Sequence, residues 1–424
     1  MTELSALIAR HKQGEQVGIT SVCSAHPWVI EAAMQYARQN GDMLLVEATS
    51  NQVDQEGGYT GMTPQDFRQQ LDEMAEKIAF DRTRLMLGGD HLGPNRWQHL
   101  PAEQAMEKAQ VLVAHYVAAG FQKIHLDCSM SCAGDPTPLT DAIVAERAAS
   151  LARTCETVSE EKWGKREVVY VIGTEVPVPG GAHESLDHLE VTHIDAARQT
   201  LETHRTAFAR EGIADIWSRV IGLVVQPGVE FSHDSVISFQ PEKARELSTL
   251  VADYPHLVFE AHSTDYQSPE VYRALVANHF AILKVGPALT FALREALYAL
   301  ENIERELLPD DQCSNLRQCL ELVMLEKPTF WKKYYLGSPL EQHFARHYSY
   351  SDRLRYYWPE QHVQSAVERL LANLARQPIP LPLLSQYLPI QYRRVLAQQL
   401  PADARTLVLD RITDVLRDYA SACH

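Results

Sequence analysis

Asp90 and His91 stand side by side where an apolar run gives way to a loop, in the stretch "LMLGGDHLGPNRW". An imidazole beside a carboxylate suits metal chemistry: a neutral ring nitrogen ligates a divalent cation, and the neighbouring acid moves a proton. Taken alone, the same two residues read as a helix cap and a surface histidine. Polar groups close other apolar runs as well. "MLLVEATS" holds Glu47, with Asn51 just beyond; "KIHLDCS" holds Asp127; "VVYVIGTE" ends at Glu175. "VIGLVVQPG" holds Gln226, "LVFEAHS" holds His262 with Asp265 following, and "AILKVGP" holds Lys284. His91 and His262 are candidate metal ligands, for zinc or another divalent ion, with Asp90 as the proton-transfer group. Glu175 is a candidate to complete that set or to pair with Lys284. Lys284 is a candidate Schiff-base amine, or an ion-pair partner of Asp127 or Glu175. Glu47, Asp127, Gln226 and Asp265 are candidates for the lining of a ligand pocket.

Positioning so many charges at one mouth requires a particular architecture. One further run, "VGITSVCSA", brings the number to eight, and helical patterns such as "PAEQAMEKAQVLVAHYVAAG" separate them. Continuous apolar runs alternating with helices indicate strands buried on both faces, hence a parallel sheet. Eight such units predict a (β/α)₈ barrel, an α/β fold in which catalytic groups gather at the C-terminal ends of the strands. No GxGxxG turn follows the first run, which disfavours an open doubly wound sheet. The alternation stops near Glu301. The expected division is a barrel over 1–300 and a helical C-terminal extension over 301–424, packed on the barrel. "QPIPLPLLSQYLP" reads as a proline-broken set of short helices. "RLRYYWPE" is basic and aromatic together, and contact with the barrel or with a partner subunit are both open.

The totals exclude several classes. Of 424 residues, 45% are hydrophobic and 22% charged, and the formal net charge is -16. So acidic a chain is not expected on nucleic acid or an anionic membrane. No stretch approaches the roughly 20 apolar residues of a bilayer span. Seven cysteines without CxxC spacing suggest free thiols in a cytoplasmic protein. Glycine pairs in "NQVDQEGGYTGM" and "TEVPVPGGAHES" could let backbone amides approach an anion. No GxxxxGK[ST] is present.

With these residues laid out, the chain resembles the Z-type, non-catalytic subunit of D-tagatose-1,6-bisphosphate aldolase, the GatZ/KbaZ family. The runs that carry the resemblance are "SVCSAHP", "EATSNQV", "GGYTGMTP", "GGDHLGPN", "KIHLDCSMSCAGDP", "VIGTEVPVPGG", "VVQPGVEF", "EAHSTDYQ" and "LKVGPALTFALREA", then "WKKYY", "RYYWP" and "SQYLP". The resemblance implies an accessory, chaperone-like subunit that supports the stability and full activity of a catalytic Y subunit. That partner is a zinc-dependent class II aldolase, in tagatose 6-phosphate catabolism fed by galactitol or N-acetylgalactosamine. The converging polar set suggests a pocket that still binds a ligand, a sugar phosphate or a metal, and homo-oligomerisation is left open. The family's naming history also carries a tagatose-6-phosphate kinase reading. A more distant likeness to the catalytic class II aldolases matches Asp90 and His91 to their Asp–His pair and His262 to a zinc ligand. Gln226 stands where that pattern has another zinc histidine, and Gly286 where it has a phosphate-binding asparagine. This implies an incomplete metal site; a class II-type aldolase acting by itself is the alternative.

Overall fold

The computed structural model describes residues 3–174 and 189–424. Its first half runs α1 (Glu3–Lys12), β1 (Ile19–Val22), α2 (Pro27–Asn40), β2 (Leu44–Thr49), α3 (Pro64–Lys77), β3 (Leu85–Leu92), α4 (Ala102–Ala118), β4 (Lys123–Leu126) and α5 (Asp141–Trp163). It continues with β5 (Val169–Ile172), α6 (Ile194–Arg210), β6 (Val220–Val224), a hairpin of β7 (Glu230–Phe231) and β8 (Val236–Ile237), and α7 (Pro241–Thr249). Then come β9 (Val258–Ala261), α8 (Pro269–Ala277), β10 (Ile282–Val285) and α9 (Pro287–Leu307). Six helices follow: α10 (Leu316–Glu326), α11 (Pro339–Tyr348), α12 (Gln361–Ala375), α13 (Leu381–Tyr387), α14 (Pro389–Leu396) and α15 (Ala404–Cys423).

All eight apolar runs are barrel strands. They close in the order β1-β10-β9-β6-β5-β4-β3-β2, every pair parallel. Alternate residues of a strand face opposite sides of the sheet, so each strand splits into an outward set and an inward set. The outward set, including Val46, Leu87, Ile124, Phe259 and Leu283, packs under the helices. At the N-terminal end of the barrel the inward set is apolar: Ile19, Leu45, Met86, Val169, Ile221, Val258 and Ile282 form one cluster with Leu4 and Ile8 of α1. The first helix is thus a plug for the bottom of the barrel. Burying each such side chain is worth roughly 1.5–3 kcal/mol, and the seal keeps water from the charged layer above.

The last helix completes the wall. α15 packs against α2, α8, α9 and β1, the position in which a (β/α)₈ barrel carries its eighth helix. Its tyrosine Tyr419 stacks on Tyr272 of α8, ring centroids 3.9 Å apart, and Arg405 pairs with Glu31 of α2. The segment "RLRYYWPE" turns back over the open end of the barrel and contributes Arg355, Tyr356 and Trp358 to the mouth. The proline-rich run forms α13 and α14, each with a proline in its first turn.

Candidate functional site

The inward residues change character halfway up the barrel. Above the apolar layer sit Ser21, Glu47, Lys123, Glu260 and Lys284, all buried. Lys123 Nζ lies 2.6 Å from a carboxylate oxygen of Glu47 and 2.6 Å from one of Glu260. Lys284 Nζ lies 2.9 Å from Glu47, 3.0 Å from Asp90 and 3.8 Å from Glu260. Ser21 donates to Glu47 at 2.6 Å. Gly88 makes the layer fit: a Cβ there would stand 2.7 Å from Glu47 Cγ. Burial alone would remove the charge from Lys284, but Asp90, Glu47 and Glu260 outweigh it and hold the amine well above the ordinary lysine value. The expected pairing of Lys284 with Asp127 is corrected: its partners are Glu47 and Asp90, while Glu175 lies outside the described residues. The amine is a locked ammonium of the interior, and a protonated amine is no Schiff-base nucleophile.

The next layer is a cluster of imidazoles. Neighbouring strand residues normally face opposite sides, yet Asp90 and His91 both reach the mouth. The cause is local: His91 has φ 51°, and the β3–β4 register shifts between Gly89 and Leu92. This irregularity re-aims one side chain. His91 Nδ1 lies 2.7 Å from Asp127 Oδ2, and Asp127 is itself held by the Ser129 amide and hydroxyl. His262 Nε2 lies 2.8 Å from Glu260. His125, which the sequence reading did not single out, completes the group from the middle of β4. Its Nδ1 accepts from the His91 amide at 3.2 Å and lies 3.1 Å from Asp90; its Nε2 is buried without a partner among the described residues. The three ring centroids are 4.9–5.2 Å apart. One ligand atom from each of Asp90, His91, His125 and His262 lies within 4.8 Å of the others.

These residues fit a divalent metal. Two imidazoles are pinned through one nitrogen by a carboxylate, which fixes the ring and frees the other nitrogen, as outer partners of metal ligands do. Burial first, with His91 beside it, pushes His262 down to about 4, so it is neutral and able to ligate. Asp90 is desolvated, but His91, Lys284, His125 and His262 hold it well below the usual carboxylate range. His91 is also desolvated, and Asp90 and Asp127 overcome this and raise it. In this interior Glu47, Asp90, Asp127 and Glu260 face Lys123 and Lys284. Histidines with a carboxylate suit zinc or a similar ion. The incomplete site expected from Gln226 is corrected in its geometry: β4 supplies a third imidazole.

The other candidates divide. Asp90, His91, His262, Asp265 and Lys284 line a cavity of about 410 Å³ at the C-terminal mouth. Glu47 and Asp127 lie behind it, as holders of Lys284 and His91. Gln226 is turned into its own loop, where its amide oxygen accepts from Gly228 and Val229. Asp265 Oδ1 accepts from the amides of Gly286 and Ala288 and so caps α9; burial raises its carboxyl to about 6 against those bonds. Glu175 and the loop "TEVPVPGGAHES" lie outside the described residues. In "NQVDQEGGYTGM" the backbone amides of Glu56 and Gly58 are already taken by Asp54, so that loop is closed on itself. No helix among the described residues is long and apolar enough to cross a membrane.

Comparison with known proteins agrees with this architecture. A solved structure described as a probable tagatose 6 phosphate kinase from Sinorhizobium meliloti 1021 is 49% identical, with a TM-score of 0.89, over 96% of this chain and 100% of that one. The YdjI aldolase from Escherichia coli K12 is a weaker match, 10% identical with a TM-score of 0.41 over 89% of this chain and 99% of that one. Fructose-bisphosphate aldolase from Campylobacter jejuni is 15% identical with a TM-score of 0.41 over 88% and 93%. At that level nothing further follows for this chain. A family model, D-tagatose-1,6-bisphosphate aldolase subunit GatZ/KbaZ-like, matches residues 4–424. With that match over nearly its whole length, the chain belongs to the GatZ/KbaZ-like family of D-tagatose-1,6-bisphosphate aldolase subunits.

Proposed function

We propose that this chain is the accessory subunit of a tagatose-1,6-bisphosphate aldolase, keeping a catalytic subunit folded and active in tagatose 6-phosphate catabolism. One observation carries the reading. Leu340, Phe344 and Tyr348 recur four residues apart on α11 and are 76%, 50% and 36% exposed. Leu322 and Leu325 on the neighbouring α10 are exposed as well, and Glu321 joins the two helices through Arg346 and His347. An uncovered apolar patch of this kind marks a protein-binding face. A partner that binds there only when folded is stabilised by mass action. The test compares aldol cleavage of tagatose 1,6-bisphosphate by this chain, by the catalytic subunit, and by both co-expressed. Silence alone and a more active, longer-lived partner in the pair is the expected result. An unchanged partner overturns it.

A second reading is favoured by the three-imidazole cluster: a metal-dependent lyase acting by itself on a phosphorylated ketose. His91, His125 and His262 would hold the ion, and Asp90 would move the proton. Such an ion, when bound, polarises a carbonyl and stabilises an enediolate. Zinc-dependent cleavage by this chain alone, lost in His125→Ala, would establish it; cleavage that survives that change would refute it. Turnover of ATP with tagatose 6-phosphate would be needed to retain the kinase reading.

A further inference from the structure

Two cations line the mouth cavity, Lys284 and Arg355, and they differ in how their charge is met. Lys284 is held between Glu47 and Asp90. Arg355 comes from the "RLRYYWPE" segment, and among the described residues its guanidinium has no carboxylate in ion-pair contact. Its bonds are to neutral groups of its own turn: the carbonyls of Ser351 and Asp352 and the hydroxyl of Tyr356. The Tyr356 ring lies 4.6 Å from it. The nearby acid, Asp352, gives its carboxylate to Thr290 at 2.5 Å, and burial raises that acid to about 7. A cation held rigidly beside a cavity, with no carboxylate in ion-pair contact, can receive an anion.

Among the described residues, the helix starts at this mouth are already occupied by the chain. α9 begins at the cavity, but Asp265 occupies its first free amides. α2 also begins there, and the His26 ring accepts from the Trp28 amide. Helix starts would otherwise be the usual seat for phosphate. Among the described residues, the guanidinium side of Arg355 remains open.

We propose that Arg355 is the anion-recognition group of this cavity, and that the ligand is a small phosphorylated polyhydroxy compound whose phosphate sits at Arg355. The inference rests on the reading of the barrel mouth as the chain's ligand site, and does not depend on the partner role. It gives the C-terminal helical region a chemical purpose: the barrel supplies the imidazoles, and the segment folded over it supplies the charge that selects the ligand.

Calorimetric titration of the full chain with dihydroxyacetone phosphate and with dihydroxyacetone tests this. The phosphorylated probe is expected to bind and the unphosphorylated one to bind far more weakly. Arg355→Gln should weaken the phosphorylated probe by about tenfold or more, with unchanged thermal unfolding. Arg355→Lys keeps the charge and loses the fork, so intermediate affinity is expected. If Arg355→Gln does not fold, the lysine variant decides, and wild-type affinity in it overturns the proposal. So does equal binding of the two probes by the wild type. Chelated protein separates the readings: retained phosphate binding with loss of metal leaves Arg355 in place whatever becomes of the histidine cluster.

Discussion

Asp127 never touches the cavity, yet the imidazole of His91 depends on it. Its carboxylate holds His91 Nδ1 at 2.7 Å and leaves Nε2 as the free nitrogen. Removing such an outer partner costs about 10–100-fold in metal affinity. Asp127→Ala is therefore expected to lose that much zinc affinity in competition with a chromophoric chelator. Wild-type affinity would mean that His91 is not a ligand. Asp352 makes a different prediction, on stability. Burial raises its carboxyl from 3.8 to about 7, with the Thr290 bond and the arginines Arg355 and Arg294 opposing. The folded state thus keeps a proton that the unfolded chain gives up. Stability falls as pH rises from about 4 to about 7 and is flat beyond, and the whole window is worth on the order of 4 kcal/mol. Asn at this position is compatible with its left-handed backbone, φ 46°. Asp352→Asn should be more stable than wild type at pH 8 and lose that advantage near pH 4, in paired urea titrations. A pH-independent difference would remove the assignment.

At the scale of elements, the strands were legible because a strand covered on both faces reads as an unbroken apolar run. The interior polar layer was hidden by the same habit. In "KIHLDCS" attention falls on Asp127 at the end, although Lys123, His125 and Asp127 alternate and therefore share the inward face. Glu260 and His262 repeat the pattern on β9, and Glu47 stands two residues beyond Leu45 of the apolar layer. Counting every second residue would have found His125; Gln226 was misplaced because nothing in its run tells that its amide folds back on its own turn. The β3 irregularity that turns His91 inward has only the "GGDH" glycines as its trace. Gly88 gives this layer its test. An alanine Cβ would meet Glu47 at Cγ and Cδ, 2.7 and 2.9 Å away, and Glu47 is the acid shared by both lysines. Displacing it leaves buried ammonium groups short of a partner, a loss of about 3–5 kcal/mol. Gly88→Ala should show that loss in urea unfolding; a change below about 1 kcal/mol would mean that the lysines repartner freely.

For the whole molecule, the decisive feature is that the wall is closed by its last helix. More than a hundred residues separate β10 from α15, and no periodicity in the chain says which C-terminal helix returns to the barrel. The contacts say why this one does. Tyr419 stacks on Tyr272, its hydroxyl lies 2.9 Å from Thr264 Oγ1 and 3.3 Å from the Lys284 carbonyl, and Arg411 reaches Glu295 of α9. Barrel and extension are then one cooperative unit, and the backbone beneath Lys284 is braced from outside. Tyr419→Phe, which loses only the hydroxyl, should cost about 1 kcal/mol. Tyr419→Ala, which empties the stacking site, should cost about 3–5 kcal/mol. A chain ended before Ala404 should lose its single unfolding transition altogether, since β1 and α8 would face water where α15 had covered them. If the shortened chain instead unfolds with the same midpoint and slope, the last helix is an attachment, and the charged layer inside holds its geometry without it.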